Sequence, residues 1–184
     1  MPDIYDWLSG KDVSQTATYK TIMKYAKSED EGKSLALRLI IHYMGDIHQP
    51  LHSSNRYSKE HPAGDKGGND FALKGHYKAN ELHAVWDSVI YQYHNAAHLT
   101  TARPYNGDSW KKLGDEADEL ARQFRGKFPS SKVKTTDFAS FRDESFAIAA
   151  HVYDGLTAGK DTVLPASYIS KYTPIAKERV VLAA

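Results

Sequence analysis

Apolar residues recur along most of the chain at the three- and four-residue spacing of amphipathic helices, and no run shows sustained strand alternation. The strongest pattern predicts a helix over about 30–46, which Ser28 or Asp30 caps and which ends before Pro50. The same spacing predicts further helices over about 13–27, 80–93, 109–128, 137–153 and 165–184.

The segment between the predicted helices over 30–46 and 80–93 has the composition of a loop. Residues 53–78 contain Pro62, four glycines and many polar side chains. Two later helices begin after Asp108 and Asp137, which we expect to be their N-caps. The sequence therefore predicts an all-α fold in which the loops carry part of the chemistry.

Size and charge narrow the classes of function. The chain of 184 residues is long enough for one domain with a real core, so we assign residues 1–184 to a single domain. A domain that held nucleic acid mainly by lysine and arginine would be more basic than the net charge of +1 found here. Metal ions are the obvious alternative for holding phosphates. Because the chain has no cysteine, such ions must be bound by His, Asp and Glu.

The segment HYMGDIHQPLH, residues 42–52, contains three histidines and one aspartate. His42 and Asp46 are four apart, so a helix places both on one face, where one metal ion can contact both. His52 follows the helix and is expected to approach from another direction. His48 lies off the face of His42 and Asp46, and we interpret it as structural or as a residue that supports the ligands.

A second pair with the same spacing, His83 and Asp87, lies in the segment ELHAVWD. One such pair occurs by chance in many helices, but two pairs and a nearby third histidine are much less expected by chance. Imidazole and carboxylate ligands without sulfur favour Zn²⁺, with Mn²⁺ or another divalent ion as the alternative. Clustered metal ions are a known means of hydrolysing phosphate esters. The remaining histidines have no partner at a ligand spacing and are expected to be ordinary residues: His61, His76, His94, His98 and His151.

Three ordered motifs, HYMGDIHQPLH, GGN at residues 67–69 and ELHAVWD, resemble the signature of the S1/P1 nuclease family. The segment DESFAIAAHVYDG and the Ala/Val-rich end are similar to the last two helices of that family, so the resemblance covers most of the chain. It implies a compact multi-helix fold of the phospholipase C/P1 nuclease type with three zinc ions in a cleft. The implied activity is hydrolysis of single-stranded DNA and RNA to 5′-phosphate products, and of 3′-nucleotides. No stable protein partner is implied.

The resemblance also implies roles for residues at the matching positions. His42 resembles a ligand of the first zinc. Asp46 resembles the carboxylate that bridges the first and third zincs, and we expect it to be the catalytic residue. Asn69 of the GGN motif is expected to bind substrate by shaping the floor of the cleft. The protein ligands of the second zinc are expected to be His52, His83 and Asp87.

The chain departs from the family in its first part. The family supplies further zinc ligands, including two histidines, upstream of the HYMGD motif, but only 41 residues precede His42 and none is histidine. We therefore expect a domain truncated at the N-terminus and slightly at the C-terminus, with one complete zinc site. Two alternatives to an active nuclease stay open: a zinc-dependent phospholipase C-like phosphoesterase and a non-catalytic zinc-binding remnant of the nuclease domain.

The family also suggests a location. Its members are mostly secreted, vacuolar or surface-attached, so the resemblance implies a secreted, surface or lysosome-like compartment. The first ten residues lack the basic start and apolar run of a signal peptide. No apolar stretch is long enough to span a membrane.

Overall fold

The computed structural model describes residues 1–93 and 107–184. Most of this part of the chain is helical, which confirms the predicted fold class. A 3₁₀ helix, Pro50–Ser53, and two strands, β1 (Ala72–His76) and β2 (Ala79–Glu81), lie between the third and fourth helices. The α-helices are α1 (Pro2–Leu8), α2 (Ala17–Met23), α3 (Glu29–His48), α4 (Leu82–Asp87), α5 (Gly107–Phe124), α6 (Ser130–Lys134), α7 (Phe138–Val152) and α8 (Ala166–Ala183).

α3 corresponds to the helix predicted over 30–46 and extends slightly further at both ends. Ser28 is its N-cap, and the Ser28 side-chain oxygen accepts a hydrogen bond from Glu31 N at 3.2 Å. Acidic residues in the first turn also favour the positive end of the helix dipole. Gln49 is extended, because a following proline disfavours helical backbone in the residue before it. Pro50 then begins the 3₁₀ helix.

The other predicted helices differ mainly at their ends. Asp137 is the N-cap of α7 as predicted, because its carboxylate accepts hydrogen bonds from two backbone N–H groups of the first turn. α5 already begins at Gly107, so Asp108 lies in its first turn and the prediction of an N-cap is wrong. α2 is shorter than the predicted helix over 13–27, and α1 and α6 have no predicted counterpart.

The prediction of a loop over 53–78, and of no strands, is wrong for a short β-hairpin. β1 pairs with β2 in antiparallel orientation. Tyr77 and Lys78 connect them with φ of 51° and 65°, which is typical of a tight turn with two left-handed residues. Asn-Gly is the usual sequence signal for such a turn, so the Tyr-Lys pair gave no local indication of it.

The helix predicted over 80–93 ends early. α4 ends at Asp87, and Val89, Ile90 and Tyr91 have φ of 47°, 54° and 66°. Left-handed backbone costs free energy in residues other than glycine, most of all in β-branched ones. In this conformation Val89 and Ile90 are 8% and 0% exposed, and the buried apolar surface offsets part of that cost.

Two hydrophobic clusters organise the described residues. The larger gathers the hairpin, α4, the end of α7 and α8 around Phe71, Leu82 and Ile90. The smaller lies among α1, α2 and α3 around Ile4 and Trp7. α3 also packs against α7 and α8, so it connects the two clusters. None of the described helices is long and apolar enough to cross a membrane.

Candidate metal centre

Three of the predicted ligands come together where α4 meets the 3₁₀ helix. His52 lies on the 3₁₀ helix, and His83 and Asp87 lie one turn apart on α4. One donor atom from each of them lies within 4.8 Å of the other two. His83 Nε2 is 3.6 Å from Asp87 Oδ2; two ligands of tetrahedral zinc would be roughly 3.3 Å apart. We call His52, His83 and Asp87 the metal triad. Among residues 1–93 and 107–184, it is the only group of three His or acidic side chains that lie so close together.

Hydrogen bonds from other segments orient two members of the metal triad. His83 Nδ1 donates a hydrogen bond to the Gly67 carbonyl at 2.7 Å. The lone pair of Nε2 is then free to bind a metal ion. Gln49 Nε2 donates to Asp87 Oδ1 at 3.1 Å, so Asp87 Oδ2 remains near His83. Only 13% of the His83 side chain is exposed. Partners of this kind fix the orientation of metal ligands and raise their affinity for the ion.

Gly67 and Gly68 of the GGN motif allow the loop to approach α4 closely. Both have positive φ, 63° and 83°, a conformation that favours glycine. A Cβ on Gly67 would clash with the Leu51 carbonyl oxygen, and a Cβ on Gly68 would lie 3.3 Å from His83 N. The motif therefore has a packing role, because it places the carbonyl that orients the His83 ring.

The other His-x-x-x-Asp pair, on α3, borders the same cavity as the metal triad. His42 and Asp46 of α3 line this cavity of about 450 Å³ together with the triad. His42 Nε2 is 3.2 Å from Asp46 Oδ2, and 69% of the His42 side chain is exposed. This distance fits a shared metal ion or, when the histidine is protonated, an ion pair. Within the part of the chain that the structure describes, no third His, Asp or Glu joins the pair.

A buried arginine from α8 holds the last turn of α3. Arg179 is 4% exposed. Its guanidinium donates to the His48 carbonyl at 3.2 Å, to Glu144 at 2.5 Å and to Ser145 Oγ at 3.0 Å. Ser145 Oγ in turn donates to the Ile47 carbonyl at 2.6 Å. The end of the helix that carries one ligand pair is thus fixed to both α7 and α8.

Sequence reasoning did not identify Arg179 or Ser145. Arg179 stands in the run AKERVVLAA, and a charged residue that continues an apolar helix face is a signal of a buried, paired side chain. Ser145 carries no comparable signal. Burial raises the pKa of Glu144, but the hydrogen bond from Arg179 and the charge of Lys132 lower that pKa more, so the net shift is downward.

The structure buries His48, which was predicted either to be structural or to support the ligands. His48 is 2% exposed, and its Nδ1 donates to the Met44 carbonyl at 2.8 Å. Its ring centre lies 4.8 Å from that of Phe141. Burial lowers the pKa of His48 more than the hydrogen bond to Met44 raises it, so the neutral ring is favoured.

The structure does not bring Asn69 to the metal triad. The Asn69 side chain is exposed and donates to the Lys66 carbonyl at 2.8 Å. It borders a separate cavity that is also lined by Glu81 and Lys160. A role for Asn69 in substrate binding therefore stays a prediction.

The other described histidines do not join the metal triad. His151 Nδ1 lies 3.0 Å from Asp154 Oδ2 at the exposed end of α7, and the His76 ring contacts those of Tyr77 and Tyr91. The predictions for His94 and His98 lie outside the described residues.

Known proteins resemble this chain over nearly its full length. The family model for S1/P1 Nuclease matches residues 10–184. Endonuclease 2 of Arabidopsis thaliana is 32% identical over 171 residues, which cover 91% of this chain and 53% of that protein. Nuclease S1 of Aspergillus oryzae is 26% identical over 189 residues, which cover 95% and 59%. The chain thus spans about half the length of these relatives. No solved structure matches it significantly.

The matched range contains both His-x-x-x-Asp pairs, the third histidine of the metal triad and the GGN loop. The His and Asp side chains on this one cavity offer imidazole nitrogens and carboxylate oxygens, which suit zinc. Because the match covers the metal triad and almost the whole chain, this protein belongs to the S1/P1 nuclease family.

Proposed function

We propose that this chain is a zinc-dependent nuclease and 3′-nucleotidase that hydrolyses single-stranded DNA and RNA to products with a 5′-phosphate. The observation that carries the proposal is the metal triad, in which three donors converge and two are oriented by hydrogen bonds. Membership of the S1/P1 nuclease family supports phosphodiester hydrolysis as the reaction class.

Each ligand pair has a proposed role. His52, His83 and Asp87 hold one ion, and the pair on α3 contributes to another on the same cavity. Bound zinc supplies a water of lowered pKa and neutralises charge on the phosphate. We propose Asp46 as the catalytic carboxylate, because it borders the cavity beside both His-x-x-x-Asp pairs and its oxygens could hold an ion there.

The size of the cavity limits how much of a substrate can lie at the metal site. Its volume of about 450 Å³ falls in the range of small-molecule sites. One nucleotide suits this volume, so the rest of a nucleic-acid strand must lie outside it.

Metal content and turnover test the proposal together. The protein is loaded with zinc, the ions per molecule are measured by mass spectrometry, and single-stranded DNA, 3′-AMP and phosphatidylcholine are assayed in parallel. We expect bound zinc and hydrolysis of both DNA and 3′-AMP. A protein without bound zinc would overturn the metal site. Cleavage of phosphatidylcholine alone would favour a phospholipase C-like enzyme instead.

A non-catalytic zinc-binding protein is the second candidate, and one observation favours it. The pair on α3 has no third His, Asp or Glu beside it among the described residues. One zinc per molecule with no turnover on any of the three substrates would support this candidate.

A secreted, surface or lysosome-like location also remains part of the proposal, and cell fractionation tests it.

A further inference from the structure

A groove leads away from the metal cavity along α7. A concavity of about 710 Å³ shares Asp46 and His52 with the metal cavity. A further concavity of about 520 Å³ shares Ser54, Asn55 and Phe146 with the first. The two concavities thus lie next to each other between residues 53–56 and α7, and we call them together the α7 groove.

Two side chains of α7, and Tyr153 directly after its last residue, line one side of the α7 groove. Arg142, Phe146 and Tyr153 line it and are spaced by four and then seven residues, which places them on one side of a helix. From Arg142 to Tyr153 the helix rises about 16 Å. At the roughly 3.4 Å per nucleotide of a stacked strand, this length spans about five nucleotides.

The chemistry of the α7 groove suits a single nucleic-acid strand. Phe146 is 58% exposed, whereas Phe141 on the same helix is 7% exposed. The Arg56 guanidinium lies 5.2 Å from the centre of the Tyr153 ring, and Arg142 is exposed at the end nearer the metal site. An exposed aromatic ring that can stack on a base, with cations nearby that can contact phosphates, is typical of sites for single strands.

Two acidic side chains near the α7 groove, Asp143 and Asp154, each lie beside a basic side chain. Asp143 Oδ1 lies 2.7 Å from Arg142 Nη2, and Asp154 Oδ2 lies 3.0 Å from His151 Nδ1. The Arg142 pair is exposed on both sides, and such pairs contribute little stability. A phosphate can therefore replace Asp143 as the partner of Arg142 at small cost. Asp46, at the beginning of the groove, faces the metal site.

We propose that the α7 groove binds the part of a single-stranded substrate that lies beyond the nucleotide at the metal site. Phe146 stacks a base, and Arg142 and Arg56 contact phosphates. This inference rests on the proposed nuclease function and adds a preference for strands over mononucleotides. Phe146, Arg142 and Arg56 lie outside the metal cavity and contact only the longer substrate, so turnover of 3′-AMP does not depend on them.

Two surface variants test the α7 groove in the zinc-loaded protein. Phe146→Ala is expected to weaken binding of a single-stranded DNA of about ten nucleotides by roughly fivefold, measured by fluorescence anisotropy. Turnover of 3′-AMP is expected to stay unchanged. Tyr25→Ala is the matched aromatic control, because Tyr25 is 77% exposed and lies at the end of α2. It is expected to bind DNA like the wild type.

The salt dependence of binding tests the phosphate contact. Arg142→Ala is expected to reduce the slope of log affinity against log salt by about 0.7, the contribution of one phosphate contact on a single strand. Arg122→Ala is the matched control, since Arg122 is 60% exposed and also pairs within its own helix, with Glu119. The control is expected to leave the slope unchanged.

The outcomes separate the groove from the nuclease proposal. If Phe146→Ala binds DNA with wild-type affinity and Arg142→Ala has a wild-type salt slope, the proposed role of the groove in DNA binding is wrong, whether or not the protein cleaves DNA. A wild type that binds no DNA would also overturn it. Loss of DNA binding in the two variants, in a zinc-loaded protein that turns over no substrate, would support the groove and contradict the proposed catalysis.

Discussion

The two His-x-x-x-Asp pairs have the same spacing on their helices but different surroundings. The pair on α4 is joined by His52 and receives hydrogen bonds from the GGN loop and from Gln49. The pair on α3 has no third ligand within the described residues. The His83 side chain is 13% exposed, whereas that of His42 is 69% exposed.

This difference shows that a four-residue spacing on a helix brings two metal-binding side chains together but does not supply a third. Four residues place two donors on one face of a helix, which costs the backbone nothing. A third donor, and the hydrogen bonds that select a tautomer and an orientation, come from distant segments of the chain. The α4 pair is therefore oriented before any ion binds, while the α3 pair is held only by its own helix and by the support of its last turn.

Replacing His83 is expected to give the largest difference between the two pairs. His83→Ala removes one of three donors, so we expect the affinity of the metal triad for zinc to fall by more than about 100-fold. His42→Ala is the matched control, because it leaves the three donors in place. Competition with a chromophoric chelator measures both. If both variants lost affinity for the most tightly bound zinc ion to the same extent, this would contradict the distinction between the two pairs.

Removing Arg179 tests the support beneath the α3 pair. Arg179→Met leaves Glu144 and two backbone carbonyls without their buried donor, so we expect a loss of about 2 kcal/mol in the free energy of unfolding. Urea unfolding of the metal-free protein measures it. Arg122→Met, at an exposed arginine of α5, should change stability by less than about 0.5 kcal/mol. A wild-type midpoint for Arg179→Met would show that this arginine does not stabilise the turn.

Replacing Gln49 sharpens the comparison, because it removes an orienting hydrogen bond and no ligand. Gln49→Met loses the donor to Asp87, and we expect zinc affinity to fall by about tenfold. The same change removes the acceptor for Leu51 N, so unfolding of the metal-free protein is measured alongside. A variant that is less stable but binds zinc with unchanged affinity would contradict the orienting role.

The smallest predicted effect concerns pH. The pKa of Glu144 is lowered from 4.5 in the folded protein. Its stabilising contribution is therefore present above pH 4.5 and is lost as the pH falls through the lower folded value. Between about pH 6 and pH 3, metal-free wild type should lose more stability than Glu144→Gln. The Glu144 side chain is 36% exposed, so solvent screening keeps the difference small. Identical pH profiles in urea unfolding would contradict it.

Local chemistry explains which structural predictions succeeded. The caps at Ser28 and Asp137 were predicted because a side chain that satisfies a backbone N–H needs only its own turn of helix. The hairpin and the early end of α4 were missed because Tyr77, Lys78 and Val89–Tyr91 adopt left-handed backbone that their residue types disfavour. For Val89 and Ile90 the reason lies in the core, where their side chains are buried.

The sequence by itself determined the helical class, the two His-x-x-x-Asp pairs and the family, because helical periodicity and short ordered motifs are local properties. Only the tertiary structure decided that His52 joins the α4 pair, that the Gly67 carbonyl orients His83, and that Arg179 supports the end of α3. The physical reason is distance along the chain. These contacts join residues from 16 to 131 positions apart, and burial and close packing bring them together where spacing cannot.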